Sequence, residues 1–168
     1  MTTISDLTVA GLSADRDKID PTAPPIVVGM DGSPCSQRAL AWAAEQARLR
    51  RAPLEVLHVD GDSADDMYLG HRNGVVAGMD ADPEGFIRGV ADTLTKSGVP
   101  ARAVVLAGTP GQVLVRQSTR AELLVLGAWG RSSRSGLLLG SVAQHCARHA
   151  RCPLVLVPLL PDHPLTSD

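Results

Sequence analysis

Aromatic side chains are scarce in this chain: two Trp, one Tyr and one Phe make up 2% of its 168 residues. Any core must therefore be built from Leu, Val, Ile and Ala, which suits alanine-rich helices laid on a valine-rich sheet. Cysteine is scarce as well. Three residues with no Cys-x2-Cys pair argue against a disulfide framework and fit a reducing cytosol. No apolar run approaches the length of a membrane span, and the amino terminus lacks the basic-then-apolar layout of a secretory leader. A cytoplasmic protein with no membrane partner is expected. The net charge is only -2, with no block of like sign, so no extended nucleic-acid surface is indicated. Familiar catalytic signatures are missing too. There is no Gly-Lys-Ser/Thr triplet of a Walker A loop, no GxGxxG, no nucleophile elbow and no HExxH.

What is present is 44% hydrophobic content over a length that suits one compact domain. Residues 1–24 read as a flexible tail closed by Pro21 and Pro24, residues 25–158 as the folded domain, and 159–168 as a second flexible tail. Ile26-Val-Val-Gly-Met30 is a short buried strand with Asp31 at its carboxyl end. Ser33 and Pro34 then have the chemistry of a helix start, a capping hydroxyl followed by proline at the first helical position. Leu40, Ala43 and Ala47 continue as a helical stripe through about Arg50, with Gln37, Arg38, Glu45 and Arg48 on the wet face. Leu54–Val59 is a second strand, in which His58 reads as a histidine bonded to backbone. The Gly- and Asp-rich stretch from Asp60 to about Asp80 reads as a flexible segment crossing over the strand ends. Its aspartates lack the order of a calcium-binding EF-hand loop.

A helix from Pro83 to about Ser97 stops at Gly98. Ala101–Leu106 is a third strand, Gly108–Gly111 leads into a short helix, Ala121–Gly127 is a fourth strand, and Cys152–Pro158 a fifth. Alternating strands and helices predict one parallel sheet with helices on both faces. Proline at both ends of the last strand suits a sheet edge.

The stretch with the most chemistry runs from Glu122 to Ser141. The apolar run Leu123–Leu126 stops at Gly127, and Gly130 and Gly140 follow before a helix beginning near Ser141. Glycine lets a ligand approach the backbone, and a helix start offers free N–H groups and partial positive charge to an anion. Ser141 reads as the N-cap, with Gln144 as its capping-box partner. Arg131, Ser132, Ser133, Arg134 and Ser135 add donors between these anchors. The result has the size and chemistry of a phosphate cradle. A competing constellation, Cys146-x2-His149-x2-Cys152 beside His145, has soft metal ligands but no fourth one at proper spacing, and a buried Cys146 with an exposed His149 explains it more simply.

The spacing Gly127-x2-Gly130-x9-Gly140-Ser141 matches the GxxGx9G(S/T) motif of the universal stress proteins. Together with Val28-Gly-Met-Asp-Gly-Ser33, His58-Val59 and Pro153-Leu-Val-Leu-Val157, it makes the chain resemble a single-domain bacterial member of that family, in its ATP-binding class. The resemblance implies a Rossmann-like fold of the adenine nucleotide alpha hydrolase type: a three-layer α/β sandwich with a five-stranded parallel sheet of order 3-2-1-4-5. It implies ATP with Mg as ligand. Carried over by position, Gly29, Met30 and Asp31 would line the nucleoside pocket and Val59 would meet adenine through its backbone. Leu126, Gly127, Gly130, Arg131, Gly140, Ser141 and Val142 would hold ribose and phosphates. The family often has Thr or Pro before the aspartate, where this chain has Gly29-Met30, so that wall differs. The resemblance also implies a homodimer through the last strand, Leu154 to Val157. The expected role is a nucleotide-dependent stress regulator with at most slow ATP hydrolysis. The alternatives are a sensor of cyclic AMP or another adenine nucleotide, or an adenylyl- or phosphoryl-transfer enzyme on the same scaffold. A transfer enzyme calls for a catalytic Lys or His at the cradle, and the two lysines, Lys18 and Lys96, lie away from it in sequence.

Overall fold

A computed structural model describes residues 20, 22–61, 79, 81–130 and 139–159. The expected tails lie largely outside these residues, as does most of the Asp60–Asp80 segment. Among the described residues strands and helices alternate: β1 (Ile26–Gly29), α1 (Pro34–Arg50), β2 (Leu54–Asp60), α2 (Pro83–Lys96), β3 (Ala101–Ala107), α3 (Pro110–Ser118), β4 (Leu123–Gly127), α4 (Ser141–His149) and β5 (Leu154–Val157). All strand pairs are parallel and the order is β3-β2-β1-β4-β5. The expected order holds, and β5 lies at an edge.

The period of two along each strand sorts its side chains onto opposite faces. Ile26, Val28, Leu54, Val56, Leu123 and Val125 bury one face against α1 and α2, through Ala39, Ala43, Ala47 and Ile87. Val27, Leu57, Leu124 and Leu126 bury the other against Leu114 of α3 and Cys146 of α4. With a helical layer on each side, β1 and β4 are buried on both faces, which is why they read as unbroken apolar runs. The stripe on α1 is deepest at Ala39, Ala43 and Ala47, with Leu40 only half-buried at its margin. Alanines at that i, i+4 spacing let the helix lie close over β1 and β4.

Local chemistry sets the helix ends. Ser33 Oγ accepts the Ser36 N–H at 3.2 Å and Pro34 occupies the first turn, as expected. Gly98, at φ 89°, terminates α2, a conformation that costs glycine nothing. The start of α4 differs from expectation. Its N-cap is Gly140, not Ser141, and no side chain caps it. The Gly140 N–H donates to Ala128 O at 2.8 Å, which holds Gly140 in extended backbone and makes Ser141 the first helical residue. No capping box forms. Gln144 instead donates its backbone N–H to Gly140 O and its side-chain amide to Leu139 O, each at 2.9 Å.

Candidate functional site

In an open parallel sheet a ligand crevice forms outside the carboxyl ends of the strands, where successive connections leave in opposite directions. Here that point lies between β1 and β4. From β1 the chain passes through α1 to β2 on one side, and from β4 through α4 to β5 on the other. The cradle residues follow β4 and Asp31 follows β1, so segments about a hundred residues apart in sequence meet at one crevice.

The Asp31 loop is built from its own backbone and from β2. Met30, one residue past β1, donates its N–H to Leu57 O at 2.8 Å, and its carbonyl accepts from His58 Nδ1 at 2.8 Å. His58 is thus the backbone-bonded strand histidine that was expected. Asp31 Oδ1 accepts the Ser33 N–H at 2.9 Å, an Asx-type turn leading into α1. The cradle is tied down on its far side. Ala128 N–H donates to Val157 O at 2.9 Å and Ala128 O accepts from Gly140, which brings Ala128 and Gly140 together at the carboxyl end of β4. Ser33 Oγ reaches Trp129 O at 3.5 Å, linking the two loops. Helix starts at Pro34 and Ser141 therefore face one crevice with their positive dipole ends; the α1 start is capped by Ser33, whereas no side chain caps the α4 start.

The glycines divide by purpose. Among the described residues, a Cβ on Gly130 would meet Asp31 Oδ2, at 2.8 Å, and one on Gly140 would sit 3.4 Å from Gly130 N and from Trp129 Cα. These two keep the crevice open. Gly127 and Gly29 answer a different demand. A Cβ on Gly127 would strike Cys35 Cβ at 2.7 Å and Cys35 C and Ser36 N at 2.9 Å, and one on Gly29 would strike Leu126 Cδ2 at 2.5 Å. Gly127 is glycine because the first turn of α1 lies directly upon it, rather than because a ligand needs the room.

Gly29, Met30, Asp31, Val59, Leu126, Gly127, Gly130, Gly140, Ser141 and Val142 all come to the carboxyl end of the sheet or its adjoining loops. Arg131 and Ser132–Ser135 lie outside the described residues. Met30 and Leu126 are buried, so they face the crevice through backbone alone. Sequence reading did not anticipate the link from Ser33 to Trp129 or the position of Cys35 beneath Gly127, because both depend on tertiary contact. Among the described residues no group of three or more His, Cys, Asp or Glu is arranged to hold a metal. Cys146 is buried and His149 exposed. Burial pushes the Cys146 thiol up to about 11.

A charged cluster stands at the opposite end of the sheet. Glu55, 1% exposed, receives Arg120 Nη1 at 2.7 Å on Oε1 and Nη2 at 2.5 Å on Oε2, and Arg102 Nε at 2.7 Å. Burial alone raises its carboxyl, and the hydrogen bonds and charges of Arg120 and Arg102 outweigh that, leaving it below the ordinary value. The signal in sequence was a single charge inside the apolar run Leu54–Val59.

Comparison with known proteins agrees with this architecture. The universal stress protein family matches residues 23–158. Universal stress protein Rv2623 of Mycobacterium tuberculosis is 33% identical over 145 residues, covering 79% of this chain and 46% of its own length. Universal stress protein Mb2028c of Mycobacterium bovis is 32% identical over 137 residues, covering 82% and 46%. The chain thus spans about half the length of these curated relatives. Among solved structures, the protein UspA of Lactobacillus plantarum superposes with a TM-score of 0.65 at 23% identity, over 82% of this chain and 99% of that one. A universal stress protein solved in complex with cyclic AMP superposes with a TM-score of 0.57 at 27% identity, over 81% and 97%. On a family match over most of its length and relatives above 30% identity, the chain belongs to the universal stress protein family.

Proposed function

We propose that this protein binds ATP, with Mg, at the β1–β4 crevice and acts as a nucleotide-dependent regulator of the stress response in the cytoplasm. The observation that carries the reading is the meeting of Asp31 with Gly130 and Gly140 between two helix starts. A carboxylate suits the hydroxyls of a nucleoside. Glycine backbone and helix N–H groups suit its phosphates. Gly29, Met30 and Asp31 would form the nucleoside wall, and the Val59 backbone would meet adenine. Leu126, Gly127, Gly130, Arg131, Gly140, Ser141 and Val142 would hold ribose and phosphates. Bound Mg–ATP is a substrate for slow hydrolysis by a positioned water, but no described residue stands out as a base for it. The role is binding, with ligand state altering conformation or partner choice.

The edge position of β5 supports a homodimer. Leu124 N–H donates to Pro153 O and Ala128 N–H to Val157 O, so the odd-numbered residues of β5 serve β4. By alternation Leu154 and Leu156 turn their backbone groups outward, where a second copy of the strand would pair. Sedimentation velocity giving a monomer mass at working concentration would count against this.

One observation favours a second reading. The relative at 27% identity was solved with cyclic AMP. Calorimetric titration with Mg–ATP, ADP and cyclic AMP, on the wild type and on Gly130→Asp, separates the two. Saturable ATP binding abolished by the substitution supports the first. Preference for cyclic AMP supports the second, and binding of none of them removes the site assignment.

A further inference from the structure

His58 is a buried side chain of β2 that reaches the backbone leading into the Asp31 loop. It is 6% exposed and shares with Leu54 and Val56 the face of β2 that packs on α1 and α2. A carbonyl only accepts, so the 2.8 Å contact with Met30 O makes Nδ1–H the donor. The Met30 carbonyl belongs to the peptide that carries the Asp31 N–H. β1 ends at Gly29, and its pairing with β4 ends one residue earlier, at Val28. Beyond that point the chain has left the ladder, and Met30 is held on both sides by β2: its N–H by Leu57 O and its C=O by the His58 ring. The N–H of the peptide before Met30 and the C=O of the peptide after it are thus both anchored to β2, which restrains rotation of the Met30–Asp31 peptide and with it the direction of Asp31. Its carboxylate then lies where it accepts the Ser33 N–H and stands against Gly130.

We propose that His58 is a positioning residue of the crevice: by donating Nδ1–H to the Met30 carbonyl it holds the peptide that aims Asp31 at the nucleoside. This rests on the nucleotide reading for its functional consequence, but its structural step stands independently. The imidazole touches no ligand in this scheme. It acts through one backbone oxygen, and only the donor on the near side of the ring is required.

Two substitutions separate this role from simple core packing. His58→Asn places an amide N–H near the position of Nδ1, whereas His58→Leu keeps apolar volume and has no donor. The direct reporter is hydrogen exchange at the Ser33 amide, whose proton is held by Asp31 Oδ1. Ser33 protection is expected to fall about tenfold in His58→Leu, at unchanged protection of the Val28 and Val125 amides, and to return in His58→Asn. ATP affinity, read by calorimetry, is expected to follow the same order: about tenfold weaker in the Leu variant and near wild type in the Asn variant. Equal behaviour of the two variants, or a loss at Ser33 matched by loss across the strands, overturns the proposal. If the wild type binds no adenine nucleotide, the functional reading fails, and the Ser33 exchange pattern still decides whether His58 positions Asp31.

Discussion

Gly130 and Asp31 face each other across the β1–β4 crevice so closely that a Cβ on residue 130 would lie 2.8 Å from Asp31 Oδ2, the one contact within 4 Å among the described residues beyond its chain neighbours. Gly130 does not occupy the positive-φ region, so its backbone tolerates a side chain. The conflict is with the movable end of one carboxylate. Gly130→Ala is therefore expected to fold with stability within about 1 kcal/mol of the wild type while turning Asp31 aside. ATP affinity should fall by about tenfold, which calorimetry reads directly alongside a thermal melt. Wild-type affinity in this variant would mean that Asp31 does not contact the ligand.

Gly127 makes the opposite prediction, although it belongs to the same motif. Its nearest obstacles include the backbone of Cys35 and Ser36, which cannot turn away as a carboxylate can. Gly127→Ala should push α1 off β4 and cost about 1–3 kcal/mol, measured as a shift in the midpoint of chemical denaturation at unchanged slope. The pair of alanine variants thus separates a glycine needed by the fold from one needed by the crevice.

Legibility in the sequence followed the range of the interactions. Strands β1, β4 and β5 were readable because each is a short apolar run bracketed by Gly or Pro. The start of α1 was readable because Ser33-Pro34 is a local signal. The order of the strands came through family resemblance, since alternation alone does not say which strand lies beside which. The cap of α4 was misplaced by one residue because a contact with Ala128, twelve residues earlier by number, makes Gly140 the boundary. The Gly127 motif position was visible, but not its cause. Glu55 found its arginines at sequence separations of 47 and 65, beyond the reach of any local pattern.

Cys146 offers a check on the packing of α4. Its thiol is fully buried and raised to about 11 by that burial, so the nucleophilic thiolate is scarce at ordinary pH and has no access to reagent. Half-buried Cys152 is raised less far, through burial opposed by backbone hydrogen bonds at Leu124 and Cys152. Treatment of native protein with iodoacetamide near pH 8.5, followed by mass spectrometry, should label Cys152 before Cys146. Cys146 should react only once denaturant is added. Early labelling of Cys146 would show that α4 opens away from β4 and β5 under native conditions.

The Glu55 cluster predicts how acid acts on the fold. Arg120 and Arg102 hold the folded carboxyl below its ordinary value of 4.5, so the folded state binds a proton more weakly than the unfolded chain. The resulting stability is fully present above the unfolded value and is lost as pH falls through the lower, folded one. Glu55→Gln removes that charge but keeps the shape, and the arginines, 41% and 67% exposed, rehydrate in part. The cost at pH 7 should be on the order of 2 kcal/mol, below the full penalty of breaking an enclosed pair. Below the unfolded carboxyl value the wild type should approach the variant, as protonation abolishes the same interaction. Urea denaturation of both proteins between pH 7 and pH 3 measures this convergence. Parallel pH profiles would instead assign the acid sensitivity to other carboxylates.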